Sequence, residues 1–187
     1  IASMQMDVLS VAAREICGAL EELSPSPSPG PALGLLRDWD HRMTADSNAA
    51  CVFSAFVDQF SRRLAKRRLG DDADFWMGRS VDPIRQGNGW DFNHPARVAE
   101  LIVSRPEGWF EDWDDEILCA LRDAESELTG RLGADEAEWR YGALHSLKLD
   151  HSLGRDGLAA VLNRGPYELG GDGQCVNANS FAADGSF

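Results

Sequence analysis

The chain has 187 residues, 43% of them hydrophobic and 26% charged, which sets it among ordinary folded chains, long enough for one domain and short for two. Its 31 acidic against 18 basic side chains give a net charge of −13, which argues against a nucleic-acid partner, because gripping phosphate backbones takes clustered Lys and Arg. No run approaches the ~20 apolar residues that cross a bilayer, and no basic-then-apolar signal opens the chain, so no membrane partner is expected.

A first helix is expected over about residues 4–23, where Met4, Val8, Val11, Ala12, Glu15, Ile16, Ala19 and Leu23 recur at three- and four-residue spacing. It has no N-terminal cap and starts in mid-pattern, as a chain cut from something longer would. Ser24 to Pro31 cannot be helical, because alternating prolines remove backbone donors and restrict their neighbours; a stiff loop joining two helices is expected there. Leu33, Leu35, Leu36 and Trp39 form a short apolar turn. Asp46 or Ser47 then caps a helix over 47–69 whose stripe of Phe53, Phe56, Val57, Phe60 and Leu64 reads as core, since each buried Phe contributes about 2 kcal/mol. The basic run Arg62, Arg63, Lys66, Arg67, Arg68 suits the negative end of that helix.

Residues 70–92 read as an Asp- and Gly-rich loop with short helical turns, and Asp71, Asp72 and Asp74 lack the ligand spacing of a calcium loop. Helices follow over 95–103, with Asn93 as a cap, and over 113–129, capped by Asp112 and ended by Gly130 and Gly133. Cys17, Cys51, Cys119 and Cys175 form no C-x-x-C pair. Three of them fall on predicted apolar helix faces, so buried free thiols are expected rather than a zinc or redox motif.

The last 50 residues change character, and glycines with small polar residues replace the helical period. Four segments stand out: Trp139-Arg140-Tyr141-Gly142-Ala143-Leu144-His145, His151-Ser152-Leu153-Gly154, Asn163-Arg164-Gly165-Pro166, and Gly170-Gly171-Asp172-Gly173 running on to Val176-Asn177-Ala178. In this order they resemble the penicillin acylase family of N-terminal-nucleophile hydrolases. Upstream, Met4-Gln5-Met6-Asp7-Val8-Leu9-Ser10 looks like the family's Gln-x-Asp-x-x-Ser helix start, and Leu35 to Met43 like its Leu-x-x-Trp-Asp-x-x-Met segment.

The resemblance implies a mainly α chain, the helical portion of an α/β/β/α large subunit. A helical region is expected over 1–135, and a return segment towards the sheets, with short strands and turns, over 136–187. It also implies a parent that processes itself and cleaves acyl-amide bonds with an N-terminal serine, whose own α-amino group is the base. Ser3 is neither terminal nor set in the family's Ser-Asn start, so the nucleophile and the oxyanion asparagine are expected upstream of this chain. The fragment alone should be inactive, without metal or cofactor. Its partners would be the other segments of the precursor, with a small amide substrate in the intact protein; location stays unknown, a periplasmic or secreted one being implied only by the resemblance.

Within this chain, Arg164 and Asn177 are the candidate substrate contacts, although bracing of loops is the expected use of an arginine fork here. His145, Asp150 and His151 are close in sequence, but their spacing fits neither one helix face nor the usual ligand pairs, and a turn-pinning role is expected. The alternative to an amidase fragment is a stand-alone helical binding module.

Overall fold

The computed structural model describes residues 2–23, 30–77 and 94–178. The expected Ser-Pro loop at 24–29, the Asn93 cap and most of the loop after Met77 lie outside them.

The sequence period runs unbroken from Met4 to Leu23, yet the structure divides it into α1 (Ala2–Gln5) and α2 (Val11–Glu21). Between them the chain is extended, and Leu9 bridges Arg42 in antiparallel fashion. The face turns as well: Met4 and Val11 are exposed, whereas Ala13, Ile16, Cys17 and Leu20 are buried. Ser10 restarts the helix by accepting the Ala13 N–H at its hydroxyl. The apolar turn expected at 33–39 is the helix α3 (Pro31–Arg37), because Pro31 sits in its first turn, where no backbone donor is needed.

α4 (Asn48–Leu69) is capped by Ser47 and ended by Gly70, whose φ of 55° lets the chain leave the helix. It is the central element: twelve of its side chains are buried, and it packs against α3, against α6 (His94–Ser104) and against α7 (Trp113–Leu132). Phe60 is the junction, with Phe56, Phe110 and Trp113 rings 5.8, 6.0 and 6.3 Å away. α7 starts at the Asp112 cap and passes through Gly130 to stop at Gly133, so only one of the two expected glycines terminates it. The basic run does more than offset a helix terminus. Arg63 reaches Glu116 and Asp123 on α7 at 2.9 and 2.6 Å, and Arg67 donates to the Trp109 carbonyl.

After Leu69 a single 3₁₀ turn, Gly70–Asp72, leads into the short α5 (Ala73–Trp76). Beyond α7 the elements shorten to α8 (Tyr141–Leu144), β1 (Ser146–Leu149), α9 (Ala159–Leu162) and β2 (Arg164–Glu168). β1 and β2 pair antiparallel, with Leu147 opposite Tyr167 and an irregularity before Leu149–Arg164. The chain is thus mainly helical with a small two-stranded sheet near its C-terminal end.

All four cysteines are free. Cys17 and Cys51 are buried as expected, but the third buried thiol is Cys175, outside any helix, while Cys119 on α7 is only half-buried beside Arg122.

Candidate functional site

Four of the six segments that carry the resemblance converge on one place, while segments 151–154 and 163–166 pair with each other beside it. That place starts with residues 7–10, where Asp7 accepts the Leu9 N–H on its own side chain in an Asx turn and the chain then pairs through Leu9 with Arg42. Opposite runs 41–45, turned by His41 at a φ of 61°. Ser10 N–H donates to the His41 carbonyl at 3.0 Å and Met43 N–H to the Val8 carbonyl at 2.8 Å. An ion pair joins Arg42 to Asp7 at 3.4 Å, but both side chains are largely exposed and it adds little.

The Gly-Gly-Asp-Gly segment lies across these two. Gly171 N–H donates to the Met43 carbonyl at 2.7 Å. At Gly170 a Cβ would stand 2.7 Å from that same carbonyl oxygen, so only glycine allows the approach. Asp172 then reaches back: its carboxylate accepts the Ser10 hydroxyl at 3.1 Å and the Gln174 N–H at 2.8 Å. The Cys175 thiol donates to the Val8 carbonyl, and Asn177 N–H to the Asp7 carbonyl at 2.8 Å.

Tyr141 and Gly142 close the other side. Their N–H groups donate to the Ser47 and Ala45 carbonyls, and the Tyr141 hydroxyl donates to the Gly171 carbonyl at 2.9 Å. Gly142 has no room for a side chain, since a Cβ would meet Glu168 Cβ at 2.6 Å and Ala45 Cβ at 3.0 Å. Trp139 is buried, with its indole N–H on the Gly133 carbonyl.

Electrostatically this clasp is quiet. Burial, helped by the Asp172 charge, pushes the Tyr141 phenol up and the Cys175 thiol to about 12, so both remain protonated near neutrality. His145 is 3% exposed, and its Nδ1 has no partner. Burial pulls its pKa down and favours the neutral imidazole, outweighing a hydrogen bond with the Leu169 backbone and the Asp172 charge, which both favour the protonated form. Ser10 is fully buried, its oxygen accepting from Ala13 and its proton given to Asp172, with no imidazole or amine as base. The arrangement holds chain segments together and has no nucleophile–base pair.

The structure does not bring Arg164 and Asn177 into one site. Arg164 is exposed on β2, and its Nη1 donates to the Val161 and Asn163 carbonyls, which braces its own loop. Asn177 is fixed by its backbone in the clasp. Asn163 joins two of the motifs: its side chain accepts the His151 N–H at 3.0 Å and donates to the Gly154 carbonyl at 3.2 Å. His151 receives the Leu153 N–H on Nδ1, so it pins the turn it begins. His145, buried in the clasp, and the exposed Asp150 and His151 share no hydrogen bond. Among the described residues no group of three or more His, Cys, Asp or Glu could hold a metal ion. The Ser10–Asp172 link was not foreseeable from spacing, because its partners are 162 residues apart.

Comparison with known proteins gives the same grouping. Over 145 residues the chain is 31% identical to a penicillin acylase 2 proenzyme of Pseudomonas sp. (strain SE83), covering 75% of this chain and 17% of that protein. It is 27% identical to the acyl-homoserine lactone acylase QuiP of Pseudomonas aeruginosa, covering 90% of this chain and 22% of that one. The chain therefore spans about one-fifth of the length of the curated relatives it matches. The penicillin amidase model matches residues 1–187, and the chain belongs to the penicillin amidase family.

Proposed function

We propose that this chain is scaffold from the large subunit of a self-processing amide hydrolase. The parent would cleave the acyl-amide bond of a β-lactam side chain, an acyl-homoserine lactone or a related amide. The reaction would run on a terminal serine supplied by another segment of the precursor, its hydroxyl attacking the carbonyl and its α-amino group taking the proton. An oxyanion asparagine upstream would supply on the order of 3 kcal/mol of transition-state stabilisation.

The observation that carries this reading is the clasp: four of the family's scattered motifs meet in it and serve each other as hydrogen-bond partners. A second feature fits. Ten large apolar side chains left exposed lie at residues 4–11 or 149–176, among them Met4 at 70%, Val11 at 60%, Leu153 at 66% and Val176 at 69%. Elsewhere among the described residues only Leu69 and Val103 are bare in this way. Exposed apolar side chains concentrated in these two stretches suit burial under further polypeptide of the same protein.

The test compares the 187-residue chain with the product of the whole gene on phenylacetyl and fatty-acyl amides. The isolated chain should release no acid, whereas the full product should cut itself ahead of a serine and turn over. Turnover by the pure chain would overturn the assignment. So would a gene with no small-subunit region, which would favour the stand-alone binding module.

A further inference from the structure

A trough of about 540 Å³, within the size range of small-molecule sites, runs between the C-terminal half of α4 and α6. Its lining is mostly apolar, with Leu64, Val98, Leu101 and Met77 along it and Trp109 at one side. Arg68 lies over the Trp109 ring, its guanidinium carbon 4.1 Å from the centroid, and among the described residues it pairs with no carboxylate. The one acid on the lining, Glu100, is taken by Arg97. A mostly apolar channel is thus lined on one wall by a guanidinium without a carboxylate among the described residues, in a chain whose net charge is −13.

These two features must be satisfied together. An apolar peptide would cover the channel and leave Arg68 unmatched, while a sugar phosphate would match Arg68 and leave the channel wet. A ligand with an extended hydrocarbon tail and a planar anionic head satisfies both, because the guanidinium fork meets a carboxylate with two parallel hydrogen bonds. The geometry points to a binding site for a free long-chain carboxylate, its tail along Leu64, Val98 and Leu101 and its head on Arg68. The site is separate from the clasp and stands whether or not the parent is an acylase.

The probe is dodecanoate, kept below its micelle concentration and titrated into the 187-residue chain by calorimetry, with amide NMR shifts to locate it. Saturable binding to one site is expected, with shifts on α4 and α6. Arg68→Gln should weaken it at least about tenfold, and dodecanol, with the same tail and no charge, should bind the native chain at least about tenfold more weakly. Ser104→Glu, on the exposed rim, should also weaken dodecanoate by charge repulsion without touching the core. Absence of saturation, equal affinity for dodecanol, unchanged affinity in Arg68→Gln, or shifts away from α4 and α6 would each overturn the proposal.

Discussion

Replacing Ser10 by alanine should cost more than losing a helix cap. The hydroxyl does two jobs: it accepts the Ala13 N–H at the start of α2 and donates to the Asp172 carboxylate at 3.1 Å. A cap is worth about 1 kcal/mol. A hydrogen bond to a charged group adds about 1.5–3 kcal/mol, taken at the lower end here because Asp172 is half-buried and keeps the Gln174 N–H. The sum is about 2.5 kcal/mol, and at about 2–4 °C per kcal/mol for a chain of this size the melting temperature should fall by roughly 5–10 °C. Ser47→Ala is the internal control, because Ser47 caps α4 through Ala50 N–H in the same way and has no carboxylate partner among the described residues. It should lose about 1 kcal/mol. Thermal and urea unfolding followed by far-UV circular dichroism measure both, and an Asp172→Ala background isolates the coupling. If Ser10→Ala costs no more than Ser47→Ala, or still costs the full amount when Asp172 is already gone, the clasp is not held by this bond and the reasoning fails.

Three further outcomes follow from the geometry. Burial keeps the His145 pKa below its ordinary value, so on acidification the unfolded chain takes up that proton first; stability should be complete above about pH 6.5 and decline below it. His145→Gln should flatten that part of the curve, and an unchanged slope in thermal scans from pH 5 to 8 would count against it. Gly142→Ala sets a Cβ 2.6 Å from Glu168 Cβ and 3.1 Å from the Ala45 carbonyl, and should destabilise by about 1–3 kcal/mol in urea titrations. Thiol labelling of the native chain should reach Cys119 first, because burial raises Cys17, Cys51 and Cys175 to about 12 each; equal rates at all four would show that the buried sites open freely.

Where local rules decide the structure, the sequence was a sufficient guide. Helices expected over 47–69, 95–103 and 113–129 are found at Asn48–Leu69, His94–Ser104 and Trp113–Leu132, because each has a continuous buried stripe, and Ser47 and Asp112 cap two of them. The reading of 4–23 as one helix went wrong for a non-local reason. Val8 keeps the helical period, but its carbonyl is spent on the Met43 N–H and the next donor, Ser10 N–H, on the His41 carbonyl, a pairing no local window contains. At 31–37 the weight given to prolines as breakers hid a helix that Pro31 starts.

The candidate site followed the same division. The motifs were legible as a set, and the pinning role expected of His151 and of the Asn163-Arg164 pair matches their hydrogen bonds. What was not legible was that Ser10, Met43, Tyr141 and Asp172 are partners. The two candidate substrate contacts lie apart, Arg164 on an exposed hairpin and Asn177 in the clasp.

The hydrogen bond from Asn177 to the Asp7 carbonyl, 2.8 Å long, also bears on how this region can vary. Together with the Cys175–Val8 and Asp172–Ser10 bonds it forms a narrow neck, from which the helices between hang like a pendant. Because the entropy of closing such a loop grows only with the logarithm of its length, helices beyond the neck can lengthen, shorten or be exchanged at little cost to its closure. A shift of one residue at Asp7, Met43 or Asp172 would instead undo the knot itself. A circularly permuted version, opened beyond Leu132 and with its ends tied at the neck, should therefore fold, which makes this helical lobe a unit that can be grafted.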